Sequence, residues 1–145
     1  MELTRLVVET VHEDSGMTVR AAFVRYRAGA GRSRSGGSFQ LAAVSGQPPL
    51  RWSTADAGDF AVAAREAMAA GETVRGEGTQ AHALGLPGGA DHFARVPVVA
   101  EPLHFGLLCV DTWGSLALTT ADLHPVQGLA NLLAAGLAVG DIGQR

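Results

Sequence analysis

The chain has 145 residues, of which 47% are apolar and 17% charged, and its formal net charge is −3. This is enough chain and enough apolar surface for one domain with its own core, which excludes a disordered segment. All 11 basic residues are arginines, set against 14 acids, which argues against the basic face of a nucleic-acid binder.

Taken in chain order, residues 2–13 predict a helix. Leu3, Leu6, Val7 and Val11 fall on one stripe, and Asp14-Ser15-Gly16 supplies a turn. Residues 17–27 alternate, with Val19, Ala21 and Phe23 on one side and Arg20, Ala22, Val24 and Tyr26 on the other, as in a strand. Residues 28–37 form a Gly/Ser/Arg loop. Arg27, Arg32 and Arg34 could cradle a phosphate there, but the loop joins two strands and leads into no helix N-terminus, so it reads as a long hairpin tip. The return strand, 38–45, places Phe39, Leu41 and Ala43 on one face. A helix is expected over 55–70, with Phe60, Ala64, Ala67 and Met68 sharing a face and Gly71 as its terminating glycine. Residues 72–94 are loop-rich, with a short strand at 73–75. Strands 95–100 and 105–111 make a second hairpin, so continuously apolar that it should lie centrally and be covered on both faces. Pro97 lacks an N–H and needs an unpaired ladder position. The last helix is expected over 122–139, starting at Asp122 so that Pro125 falls within the first turn.

No stretch approaches the ~18 consecutive apolar residues of a membrane span, and the N-terminal run lacks the apolar centre of a signal peptide. The expectation is a single domain over 1–145 in a reducing, cytoplasmic setting, with neither a membrane nor nucleic acid as partner. Helices and hairpins without crossover units predict an α+β fold. Its centre would be an antiparallel sheet of five to six strands flanked by the N- and C-terminal helices.

Within this order, residues 95–137 carry a recognisable pattern. Val96-Pro97-Val98 is followed by Gly106-Leu107-Leu108 with Val110-Asp111. Thr119, Asp122, Leu123 and Leu129-Ala130-Asn131 come next. The run resembles the C-terminal signature of GAF domains, and the stretch around Gly71-Glu72-Thr73-Val74 resembles that family's helix-ending turn. The resemblance implies a bacterial sensory or regulatory module of a signalling protein. Such a module would bind a small ligand between the sheet and the irregular segment before residue 95, and would dimerise through its terminal helices. Cyclic nucleotides, bilins, haem and small metabolites are all ligands known in that family, and the residues here specify none. An output domain is the implied partner.

On this basis the pocket candidates are Trp52, Phe60, Thr79, His82, His92, Phe93 and Arg95, since pocket walls combine apolar surface with a few polar groups. Leu3, Leu6, Val7, Leu129, Leu132 and Leu133 are the candidates for a helical dimer face. The five histidines, at 12, 82, 92, 104 and 124, show no metal-ligand spacing. Cys109 sits mid-strand in an apolar run, where a thiol is inert. The family's enzymatic branch, free methionine sulfoxide reductase, relies on several cysteines, so one cysteine points away from that activity. The rival readings are a dimerisation module with a degenerate pocket and a small single-domain enzyme.

Overall fold

In the computed structural model, which describes residues 2–27, 38–50, 54–78 and 84–143, strands with side chains alternating between two faces build an antiparallel sheet. Among the described residues it has five strands, β1 (Thr18–Arg27), β2 (Ser38–Gly46), β3 (Val74–Glu77), β4 (His92–Ala100) and β5 (Leu103–Trp113), in the order β2-β1-β5-β4-β3. The hairpin expected to be central is so: residues 105–112 of β5 are buried without interruption between β1 and β4.

Both faces are covered, by different elements. Helices α1 (Glu2–Ser15) and α3 (Thr120–Gly143) lie on one face. There Val7, Val11, Leu123, Val126, Ala130 and Ala134 meet the inward residues of β1, β4 and β5 in one core. Helix α2 (Thr54–Ala70) covers the other face, where Phe60, Ala64, Ala67 and Met68 pack with Ala22, Val24, Phe39, Phe93, Leu107 and Cys109. The irregular residues Leu84 and Leu86 belong to this second core. At roughly 25 cal/mol per Å² of apolar surface removed from water, these two cores are the main favourable term for folding.

Local chemistry sets the ends of the elements. Gly16 and Gly71 adopt φ of 70° and 69°, the left-handed residue that lets a helix end cleanly. Their N–H groups return to His12 and to Ala67 and Met68. Thr4 of α1, fully buried, hydrogen-bonds Ser45 of β2 across 2.7 Å and ties that helix to the sheet edge.

Three sequence expectations need correction. Phe39, Leu41 and Ala43 do not share a face. The β1–β2 register shifts between Phe23 and Val24, which pair with Ala43 and Leu41. The extra residue, Ala42, is a β-bulge that reverses the alternation beyond it. Phe39 and Leu41 thus pack on the α2 side and Ala43 on the α1/α3 side. The last helix starts at Thr120, not Asp122, with Pro125 inside it. The reason is a reciprocal cap. Asp122 N–H donates to Thr119 Oγ1 at 3.1 Å and Thr119 N–H to Asp122 Oδ2 at 2.9 Å. Finally, β4 begins at His92, three residues early, because Glu77 and Thr112 pair with it from either side. Pro97 pairs with Leu107 of β5 on one side, and on the other side β3 stops at the Val74–Arg95 pair, which leaves β4 an open edge at residue 97.

α3 also carries one stretch, Thr120–Gly140, long and apolar enough to cross a membrane by length and composition. Leu123, Val126, Ala130 and Ala134 of that stretch are buried against the sheet.

Candidate functional site

Among the described residues, the α2 face of the sheet carries, besides its apolar core, three fully buried charges. Arg20 on β1 pairs directly across the ladder with Asp111 on β5, and Asp111 in turn pairs with Phe93 on β4. Arg95, two residues further along β4, points to the same side. Register therefore brings Arg20, Asp111 and Arg95 together from three neighbouring strands. Arg20 and Arg95 are 0% exposed and Asp111 is 1% exposed.

Asp111 bridges the two guanidinium groups. Arg20 Nη2 donates to Asp111 Oδ2 at 2.7 Å, and Arg95 Nη1 lies 2.9 Å from Asp111 Oδ1. The second contact is an ion pair more than a hydrogen bond, because Arg95 Nη1 directs its hydrogens to the carbonyls of Ala94 at 3.0 Å and Val110 at 3.4 Å. Arg95 Nε donates to Leu84 O at 2.9 Å, which fastens the irregular segment to the sheet. Both guanidinium groups also lie over rings, Arg95 at 4.6 Å from the Phe93 centroid and Arg20 at 5.2 Å from that of Trp113.

Residues 84–91 form a roof over this cluster. Trp113 Nε1 donates to Gly88 O at 3.1 Å, and Asp91 Oδ2 accepts from Gly114 N at 2.8 Å. Gly88, with φ 129°, passes so close to Arg20 that a Cβ there would stand 2.8 Å from Nη1. On the sheet's other flank Gly76 does the same for Phe93, whose ring lies where a side chain at residue 76 would be.

Of the pocket candidates, Phe60, Phe93 and Arg95 are brought together on the α2 face. His92 is not. It alternates with Phe93, pairs with Thr112 and Glu77, and lies half-buried on the α1/α3 side. Trp52, Thr79 and His82 lie outside the described residues. Of the dimer-face candidates, Val7 is fully buried in the sheet core. Leu3, Leu129 and Leu133 are half-buried, and Leu6 and Leu132 are exposed. Arg20 and Asp111 escaped sequence reading. The available signal was an arginine and an aspartate placed in phase with apolar neighbours on their own strands.

Cys109 lies in the same core. Burial pushes its thiol up to about 12, with Asp111 adding to the rise and the two arginines opposing it. Such a group is neither a nucleophile nor a metal ligand at neutral pH. No group of three or more His, Cys, Asp or Glu side chains suited to a metal ion occurs among the described residues. A separate open cleft of about 510 Å³ lies on the opposite side, at the end of β3, lined by Thr73, Arg75, Pro97, Gln127 and Asn131 among others. It holds none of the buried charges.

No family model matches the chain, and neither does any curated protein. Solved structures do. The chain is similar to the GAF-B domain of DevS from Mycobacterium smegmatis, with a TM-score of 0.58 at 15% identity, covering 99% of this chain and 96% of that one. It is similar to a GAF domain/HD domain protein from Geobacter sulfurreducens, with a TM-score of 0.65 at 11% identity, covering 97% and 93%. It is also similar to the type II free methionine-R-sulfoxide reductase from Thermoplasma acidophilum, with a TM-score of 0.56 at 14% identity, covering 93% and 94%. The chain has the GAF fold, an α+β architecture that shows, among the described residues, one open antiparallel sheet and three helices.

Proposed function

We propose that this protein is a sensory or regulatory module that binds a small molecule on the α2 face of its sheet and passes the event to α1 and α3 on the other. The observation that carries this is the division of labour between faces. One face holds aromatic side chains, buried charges and an irregular roof; the other holds the two terminal helices packed together. Strand β5 is common to both, so a change in packing on one side reaches the helices through a single layer of backbone. A ligand that binds one arrangement of the roof better than another shifts the population, and the helices report it. Similarity over nearly the full chain to GAF domains, among them that of a two-component sensor histidine kinase from Bacillus halodurans, supports this reading. An output domain, joined in the same chain or separate, and a cytoplasmic setting go with it.

The test is native mass spectrometry of freshly purified protein, with an absorption spectrum, followed by hydrogen exchange with and without whatever is retained. The expected result is a bound mass, with altered protection in residues 84–91 and in α1 or α3. Protein without any retained or titratable small molecule would remove the proposal.

A second reading rests on a different observation. Leu132, Val139 and Leu6 are 69%, 71% and 44% exposed on the terminal helices, which suits an isologous helical interface in a homodimer. The two readings are compatible, since a dimer through these helices is one way to transmit the signal. An enzymatic reading has less support. The reductase neighbour shares the fold, but the sole thiol here is buried and held protonated.

A further inference from the structure

The three buried charges on the α2 face do not sum to zero. Among the described residues, two buried guanidinium groups face one buried carboxylate, which leaves one positive charge in excess with no exposed atom to share it with water. A buried ion is tolerated when it is paired and its hydrogen-bonding groups are satisfied. Both arginines pair with Asp111, but they share that one carboxylate, and the polar atoms of the cluster are not all satisfied. Arg20 Nε and Arg95 Nη2, and on the acceptor side Asp111 Oδ1, have no hydrogen-bond partner among the described residues. The neighbouring carbonyls are already spent. Leu84 O takes Arg95 Nε, Ala94 O and Val110 O take Nη1, and Pro48 O lies 3.4 Å from Arg20 Nη1. The ring faces of Phe93 and Trp113 soften the charge without accepting these N–H groups in the plane of either guanidinium.

We infer that Arg20 and Arg95 form an anion-binding site, and that its ligand is a small carboxylic acid whose carboxylate supplies the missing charge and accepts the free guanidinium N–H groups. The charge count favours a carboxylate. One unit of negative charge neutralises the cluster, whereas a phosphate monoester at neutral pH carries about −1.5 to −2 and overshoots it. A water molecule would satisfy an N–H but leave the charge. Guanidinium groups match carboxylates in geometry as well as charge. Asp111 then has a defined role: it holds both arginines in place while leaving Arg20 Nε and Arg95 Nη2 uncommitted. Access runs through the roof, because Gly88 and the Leu84 carbonyl lie directly against the two side chains. Binding and rearrangement of residues 84–91 are therefore coupled. This inference deepens the ligand-binding reading above and rests on it.

The experiment uses the intact 15N-labelled chain. Arginine side-chain N–H resonances are assigned with Arg20→Lys and Arg95→Lys and followed while sodium acetate, inorganic phosphate or sodium chloride is added to ~50 mM at constant ionic strength. The expected result is a saturable shift of the Arg20 Nε–H and Arg95 Nη–H signals with acetate. It should have a millimolar or tighter Kd, at least about tenfold tighter than with phosphate, and no saturation with chloride. A four-heavy-atom probe at a good site can reach that range. Saturation with phosphate alone would overturn the carboxylate assignment, and no saturable shift with any of the three would overturn the site. A neutral molecule retained in native mass spectrometry, with unmoved arginine signals, would sink this inference while leaving the ligand-binding reading intact. A retained carboxylic acid that shifts the same signals supports both.

Discussion

Phe93 can lie flat beneath the Arg95 guanidinium only because its cross-strand partner is Gly76. A Cβ at residue 76 would come within 2.4–2.5 Å of the Phe93 ring, which is fully buried, so the ring or the strand must shift. Gly76→Ala should destabilise by about 1–3 kcal/mol, the usual cost of overpacking. Phe93→Leu combined with it should recover part of that loss, so a double-mutant cycle in urea will show a coupling energy where independent sites would add. Cys109 makes a prediction of the opposite kind, visible only in pH dependence. In the native state burial keeps the thiol protonated to about 12, whereas its unperturbed value is 9.0. Between those values the unfolded chain releases a proton that the native chain keeps, so stability is full below pH 9 and falls as pH rises. Relative to Cys109→Ala, the wild type should lose up to about 1.4 kcal/mol per pH unit across that window. Urea titrations stepped from pH 7.5 to 10.5 measure it, and parallel curves for the two proteins would refute the burial argument.

At the scale of elements, α3 balances two opposing local effects. Thr119 and Asp122 cap its start reciprocally, and the first backbone bond, Leu123 N to Thr119 O at 3.2 Å, is already in place. Pro125 then removes the N–H that would have reached Ala121. Thr119→Ala should cost about 1 kcal/mol. Pro125→Ala, at an exposed position, should stabilise by roughly 1–2 kcal/mol, less than the full interior penalty because the residue is near the helix start. Both are read as midpoint shifts in urea with an unchanged slope. The proline alone led sequence reasoning to start this helix late, since an exposed cap competes with it only once both partners are seen together. The other elements were legible because their periodicity is strong: alternation in 18–27, and the stripe of Phe60, Ala64, Ala67 and Met68. The Ala42 bulge was not, because strand 38–46 places small or apolar residues on both sides and so offers no contrast to fix its phase. The charge cluster was hidden for a related reason. Arg95 was singled out from its position, but Arg20 and Asp111 are 91 residues apart, and only the β1–β5 register sets them side by side.

For the whole molecule, three of the six exposed large hydrophobic side chains among the described residues lie on the terminal helices, the others being Val44, Val62 and Leu116. Leu132 and Val139 lie on the outward side of α3, and Leu6 on the neighbouring α1, while the inward sides of both helices fill the core. An outward apolar surface on two adjacent helices is costly to leave in water, and self-association through a two-fold axis covers it on both copies at once. The expected behaviour is a concentration-dependent dimer in sedimentation equilibrium. Leu132→Glu with Val139→Glu should yield a monomer, because paired carboxylates at the centre of a two-fold interface meet their own copies. The urea midpoint measured at low concentration should move by less than about 0.5 kcal/mol, as expected for exposed positions outside the core. Val7→Ala is the contrasting control. It removes a fully buried core side chain and should cost a few kcal/mol of stability at every concentration. If the double glutamate variant still dimerises, the helices are not the interface. A signal from the proposed ligand face would then have to reach a partner by another surface, such as the open edge of β4 beyond Arg95.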